Sequence, residues 1–143
     1  MLTIHQEWLM VAKTALSFLL GGLIGFERER RGVAAGIRTF GAIAMGACVF
    51  SLVSVHVGWP ADPSRIASQV VIGVGFIGAG VFFRHGDAVT GLTTAATLWT
   101  SAAIGLAIAF NLYIVGVMTT VILLGVLLLS KMKWWKRISR KRR

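Results

Sequence analysis

In the stretch GFERERRGVAAGIRT, residues 25–39, Glu27 and Glu29 alternate with Arg28, Arg30 and Arg31, and Arg38 follows. Carboxylates interleaved with guanidinium groups are suited to ion pairing. Glu27 and Arg31 stand at i,i+4 and can pair along one helix. A carboxylate near an apolar boundary is costly without a partner. Glu27 with Arg38, or with Arg28, is therefore the expected ion pair between helices. The alternative is a solvated loop whose arginines only set membrane topology, which leaves the alternating glutamates unexplained.

Three further stretches carry polar groups in patterns. In ADPSRIASQ, Asp62, Arg65 and Gln69 stand at i, i+3 and i+7 and share a helical face. They suit an outer polar patch or a weak cation site; the plainer alternative is a helix cap with a snorkelling arginine. In VVIGVGFIGAGVFF, Gly73, Gly75 and Gly78 fit G-x-G-x-x-G. A dinucleotide site needs a strand before the motif, an amphipathic helix after it and an acid about 20 residues on. Arg84 ends the run and Asp87 comes too early, so the glycines, Gly80 included, read as helix-packing positions. In GLTTAATLWTSAA, Thr93, Thr94, Thr97, Thr100 and Ser101 can bond across helices or back to their own carbonyls. Close packing explains them better than a polar path, because no ionisable residue lies among them.

His5, His56 and His85 are scattered, without metal-ligand spacing, and no nucleophile–base pair stands out. The expectation is a non-enzyme with no catalytic, cofactor-binding or metal residues. Cys48 is alone in an apolar run and reads as core packing.

The elements that must position these groups are apolar. The chain is 56% hydrophobic and 14% charged, with a mean hydropathy of +0.78. Five segments, approximately residues 8–26, 39–57, 66–83, 91–109 and 112–130, reach the range of about 17 to 25 residues that crosses a bilayer. In lipid the backbone must satisfy itself, so each segment is a helix. The reading is an all-α polytopic bundle with five transmembrane helices. Asp62 can cap the third helix with Pro63 at its first position, and Asn111 turns the last two helices into a close antiparallel pair.

The net charge of +10 points to membrane orientation and anionic lipid rather than nucleic acid. Of the 15 Lys and Arg residues, 13 fall in the first loop, the third loop and the tail. Arg65 lies on the other side and Lys13 within the first helix. The N-terminus is then outside and the C-terminus cytoplasmic. The first segment lacks a basic leader and a small-residue cleavage site, unlike a signal peptide. Residues 131–143, KMKWWKRISRKRR, form a basic cytoplasmic tail suited to anionic headgroups, after a membrane domain over residues 1–130. A faint repeat at an offset of 55 aligns Gly25, Gly36, Thr39 and Ala47 with Gly80, Gly91, Thr94 and Ala102, giving two hairpins plus a fifth helix.

GFERERRGVAAGIRT, DPSRIASQVVIGVGFIGAGVFF and GLTTAATLW, in that order, resemble the MgtC/SapB family of bacterial inner-membrane proteins. The family pattern falls on Glu27, Arg28, Gly36, Arg38 and Thr39. It continues on Asp62, Arg65, Gln69 and the four glycines from Gly73 to Gly80, then on Gly91, Thr93, Thr94, Ala95, Ala96 and Trp99. The resemblance implies a five-helix membrane domain and links to growth in low magnesium, virulence inside host cells and restraint of the F-type ATP synthase. Many members carry a soluble C-terminal domain, where this chain has its short basic tail. The resulting expectation is a regulator or adaptor that contacts itself or another membrane protein. The competing expectation is a small oligomeric magnesium or cation transporter.

Overall fold

A computed structural model describes residues 2–57, 62, 64–85 and 88–129. Its order is α1 (Ile4–Glu29), α2 (Ile37–Val57), α3 (Ser64–Gly80), β1 (Phe83–His85), β2 (Ala88–Thr90), α4 (Leu92–Ala109) and α5 (Tyr113–Leu129). Pro63 and the basic tail lie outside the described residues.

α1 begins with a capping box: Thr3 Oγ1 accepts from Gln6 N, and Gln6 Oε1 accepts from Thr3 N at 2.9 Å. This satisfies two backbone donors that a helix start leaves open. The chain leaves α1 through Gly32, whose φ of +72° suits glycine. Gly91, before α4, has φ +85° and lies so close to the Val81 carbonyl that a Cβ would collide with it. Asn111 takes φ +64° between α4 and α5, while Leu112 N donates to Ala107 O at 2.8 Å. That is a left-handed C-terminal stop, and Asn is among the few residues that tolerate it. The expected tight antiparallel pair of α4 and α5 follows.

α4 is the hub and packs on the other four helices. Glycines set the closest approaches. A Cβ on Gly21 would lie 2.6 Å from Phe40 O, one on Gly25 would lie 2.6 Å from Gly36 O, and one on Gly105 would collide with Ala44 O. Small residues thus bring α1 to α2 and α2 to α4 at backbone distance. Phe40, Ile24, Leu98, Ile104, Ile108 and Cys48 fill the space between them. The outward faces are apolar, with Phe76 83% and Ile114 80% exposed.

Three helices, α1, α4 and residues 37–56 of α2, are long and apolar enough to cross a membrane. α3 and α5 are apolar, with 17 residues each among the described residues. The all-α expectation holds for the packed body and needs one correction. Residues 83–90, read as a polar turn and the end of the third segment, include an antiparallel pair with Phe83 opposite Thr90 and His85 opposite Ala88. In sequence, Gly86-Asp87 stands between the two strands, a two-residue combination that favours hairpins.

Candidate functional site

The ionisable side chains of the bundle gather at its two ends, and most belong to α1. Glu27 and Arg28, at the C-terminal end of α1, are buried. Glu27 Oε1 forms an ion pair with Arg31 Nε, one turn on. Arg31 Nη2 also donates to the carbonyl of Leu127, in the last turn of α5. Arg28 Nη2 donates to Thr94 Oγ1 of α4 at 3.2 Å. Glu29 Oε2 accepts from Ile37 N at 3.1 Å and so caps the start of α2. One short stretch thereby ties α1 to α2, α4 and α5.

The physical logic is that of helix termini in an apolar medium. The last carbonyls of a helix lack internal partners and carry partial negative charge, which a cation neutralises. Arg31 brings a cation to the Leu127 carbonyl of α5. At the other end of the bundle, Lys13 Nζ donates to Ala109 O at 3.3 Å and does the same for α4. Lys13 stands 16 positions before Glu29, the last residue of α1. At 1.5 Å per residue that stretch rises about 24 Å, most of the ~30 Å hydrocarbon thickness of a bilayer.

The expected Glu27–Arg38 pair does not form. Arg38 lies in the first turn of α2 with its side chain exposed, and Glu27 turns along its own helix to Arg31. Nor does Arg28 pair with Glu27: its guanidinium reaches Thr94. Glu27 Oε2 and Arg28 Nε are buried without a hydrogen bond. Thr39 and Thr93 are exposed.

Asp62, Arg65 and Gln69 are exposed at the start of α3. Asp62 Oδ1 accepts from Ser64 N and Oδ2 from Ser64 Oγ, both at 2.8 Å. These bonds hold its carboxyl below the ordinary carboxylate range, with a smaller contribution from the charge of Arg65. Asp62 therefore caps α3 as expected. Ser54 of α2 accepts from Ile66 N at 3.2 Å and pins the same turn from the side.

Within α4, Thr97 donates to Thr93 O and Thr94 O, Thr100 to Ala96 O and Ser101 to Thr97 O, all between 2.8 and 3.0 Å. These hydroxyls bond back to their own helix. Of the glycines in α3, Gly78 alone meets a neighbour, with Ala95 Cβ 3.7 Å from an added Cβ. Among the described residues, Gly73, Gly75 and Gly80 have nothing within 4 Å of an added Cβ, so no described helix of this chain packs against them. Trp99, 51% exposed, borders a shallow groove between α3 and α4 with Gly75 and Gly78.

The residues that sequence reasoning missed are Lys13, Arg31 as a tie to α5, Glu29 as a cap of α2, and Gly21 and Gly105 as contact points. Lys13 carried a usable signal, because a lysine inside an apolar helix must find an acceptor.

The family model described as the MgtC family matches residues 14–134. The chain belongs to the MgtC family. Protein MgtC of Brucella abortus (strain 2308) is 46% identical over 123 residues, covering 83% of this chain and 52% of that protein. The family member named putative magnesium transporter YhiD, of Escherichia coli (strain K12), is 44% identical over 127 residues, covering 82% and 58%. Protein MgtC of Salmonella typhimurium (strain 14028s / SGSC 2262) is 48% identical over 108 residues, covering 76% and 46%. The chain thus spans about half the length of the curated relatives it matches. No solved structure matches it.

Proposed function

We propose that this chain is a non-enzymatic regulator or adaptor of the bacterial inner membrane, acting through helix contacts with itself or another membrane complex. All five helices cross the bilayer, with the N-terminus outside and the C-terminus in the cytoplasm. The tolerated length of about 17 residues accommodates α3 and α5. The family resemblance links it to low-magnesium adaptation, intracellular survival and modulation of complexes such as the F-type ATP synthase.

One observation carries this reading. The ionisable groups inside the bundle are spent on holding helices: Lys13 on α4, Arg28 on Thr94, and Arg31 on Glu27 and α5. A cation approaching Glu27 meets two guanidinium groups, whose repulsion is strong in a medium of low dielectric. The α4 hydroxyls, bonded back to their own carbonyls, offer no continuous row of free oxygens.

The second reading, a small oligomeric magnesium or cation transporter, draws support from the printed name of the Escherichia coli relative. Reconstitution into vesicles loaded with a magnesium-sensitive dye separates the two. The regulator reading expects flux equal to that of empty vesicles. A magnesium-dependent signal that scales with protein would sink it.

A further inference from the structure

Between α2 and α3 lies an apolar groove of about 490 Å³, bordered by Gly46, Phe50, Ile66, Gln69, Gly73 and Ile77. Gln69 is the one polar side chain among the described lining residues. The Ser54–Ile66 bond closes the groove at the end where α3 begins. Gly46 and Gly73 leave it open along its length, since a Cβ at either would meet nothing within 4 Å. Beside the closed end stand Asp62 and Arg65, both exposed and of opposite charge. They form no ion pair with each other; Asp62 is engaged by Ser64. A carboxylate accepting two hydrogen bonds still has lone pairs to offer.

The dimensions select the occupant. From Ile66 to Ile77 the helix rises about 16 Å, close to the ~15 Å depth of one leaflet. A groove made for a helix that crosses the whole bilayer would continue for twice that length. Going down α3, a charged pair, one amide and then only apolar surface follow in order. A phospholipid presents the same order: a charged headgroup, ester carbonyls and an acyl chain. An anionic headgroup without an amine would satisfy Arg65 and be repelled by Asp62. A headgroup carrying both phosphate and primary ammonium satisfies both.

We propose that the α2–α3 groove is a binding site for one zwitterionic phospholipid with a primary amine headgroup. Its phosphate lies against Arg65, its ammonium against Asp62, and one acyl chain runs past Gln69 along the Gly46–Gly73 groove. The site rests on the membrane reading above and is independent of whether the chain regulates or transports.

The test uses the full chain in phosphatidylcholine vesicles doped with phosphatidylethanolamine that carries a photoreactive acyl chain, with adducts mapped by mass spectrometry. Adducts are expected to concentrate on residues 42–50 and 66–77. Unlabelled phosphatidylethanolamine should compete about three- to fivefold better than phosphatidylcholine or phosphatidylglycerol, the range an exposed charge pair supports. Asp62→Asn keeps a competent cap and should erase that preference. Gly73→Phe, which fills open space, should abolish the groove adducts while leaving the melting temperature in place. Arg65→Gln gives an independent surface variant and should lower groove labelling. Even labelling of every outward helix face would overturn the proposal, as would groove adducts unchanged by both Gly73→Phe and Arg65→Gln. So would a cross-link between two copies across Gly46 and Gly73 that displaces the lipid label. Adducts on α1 and α5 without groove enrichment would reject the site alone; no adducts anywhere would reject the membrane reading itself.

Discussion

Arg31 engages two groups at once, the buried Glu27 carboxylate one turn back and the Leu127 carbonyl of α5. Breaking a buried ion pair by removing one partner costs about 3–5 kcal/mol, whereas replacing both partners costs far less. Arg31→Gln should therefore lower the melting temperature of the detergent-solubilised protein sharply. The double variant Glu27→Gln with Arg31→Gln should recover most of the loss; an additive double variant would show that the two side chains are not coupled. Asp62 gives a prediction in pH. Its folded-state pKa is depressed by Ser64, so its stabilisation of the first turn of α3 is complete above the unfolded value of about 3.9. That stabilisation fades as pH falls through the lower folded value. Amide exchange at Ile66 and Ala67 should accelerate in that acid window, and Asp62→Asn should flatten the dependence. Much at this scale was hidden in sequence. Spacing offered Glu27 several arginines, and only the fold shows Arg38 turned outward and Arg28 drawn to Thr94.

Among the elements, glycines of equal standing in sequence have opposite roles. Gly105 lies against the Ala44 carbonyl, and Gly73 faces open space. Gly105→Ala should force α2 and α4 apart and destabilise by about 1–3 kcal/mol, as overpacking does. Gly73→Ala should be neutral or stabilising by up to ~1 kcal/mol, because Ala is the better helix former. Thermal unfolding of the two variants side by side checks this, and equal losses would contradict the packing. The glycine run of α3 drew attention because it is dense, yet density says nothing about what lies opposite. Helix existence was far more legible. Long apolar runs demand self-satisfied backbone, and Asn111, between two such runs, marks a turn that few other residues would take. The β1–β2 pair was harder to read. Each strand has three residues, too short for alternation to register, although Gly86-Asp87 offered a turn signal.

For the whole molecule, the Lys13–Ala109 and Arg31–Leu127 contacts define two levels about 24 Å apart by the rise of α1 from Lys13 to Glu29. Polar side chains at intermediate depth bond back to carbonyls of their own helix, as Ser17, Ser51, Ser101 and Thr120 do. A bundle built this way fits a bilayer whose two interfaces coincide with those levels. In the orientation proposed above, the level of the basic first loop is the cytoplasmic one. His5 and Arg30 are exposed and lie beyond opposite levels, so they report the orientation directly. In a Cys48→Ala background, His5→Cys should react with a membrane-impermeant maleimide added to intact spheroplasts. Arg30→Cys should react only after the membrane is opened. Labelling of both from outside would remove α1 as a spanning helix. The reverse pattern would keep the bundle and invert it, placing the Asp62–Arg65 pair and its groove in the cytoplasmic leaflet.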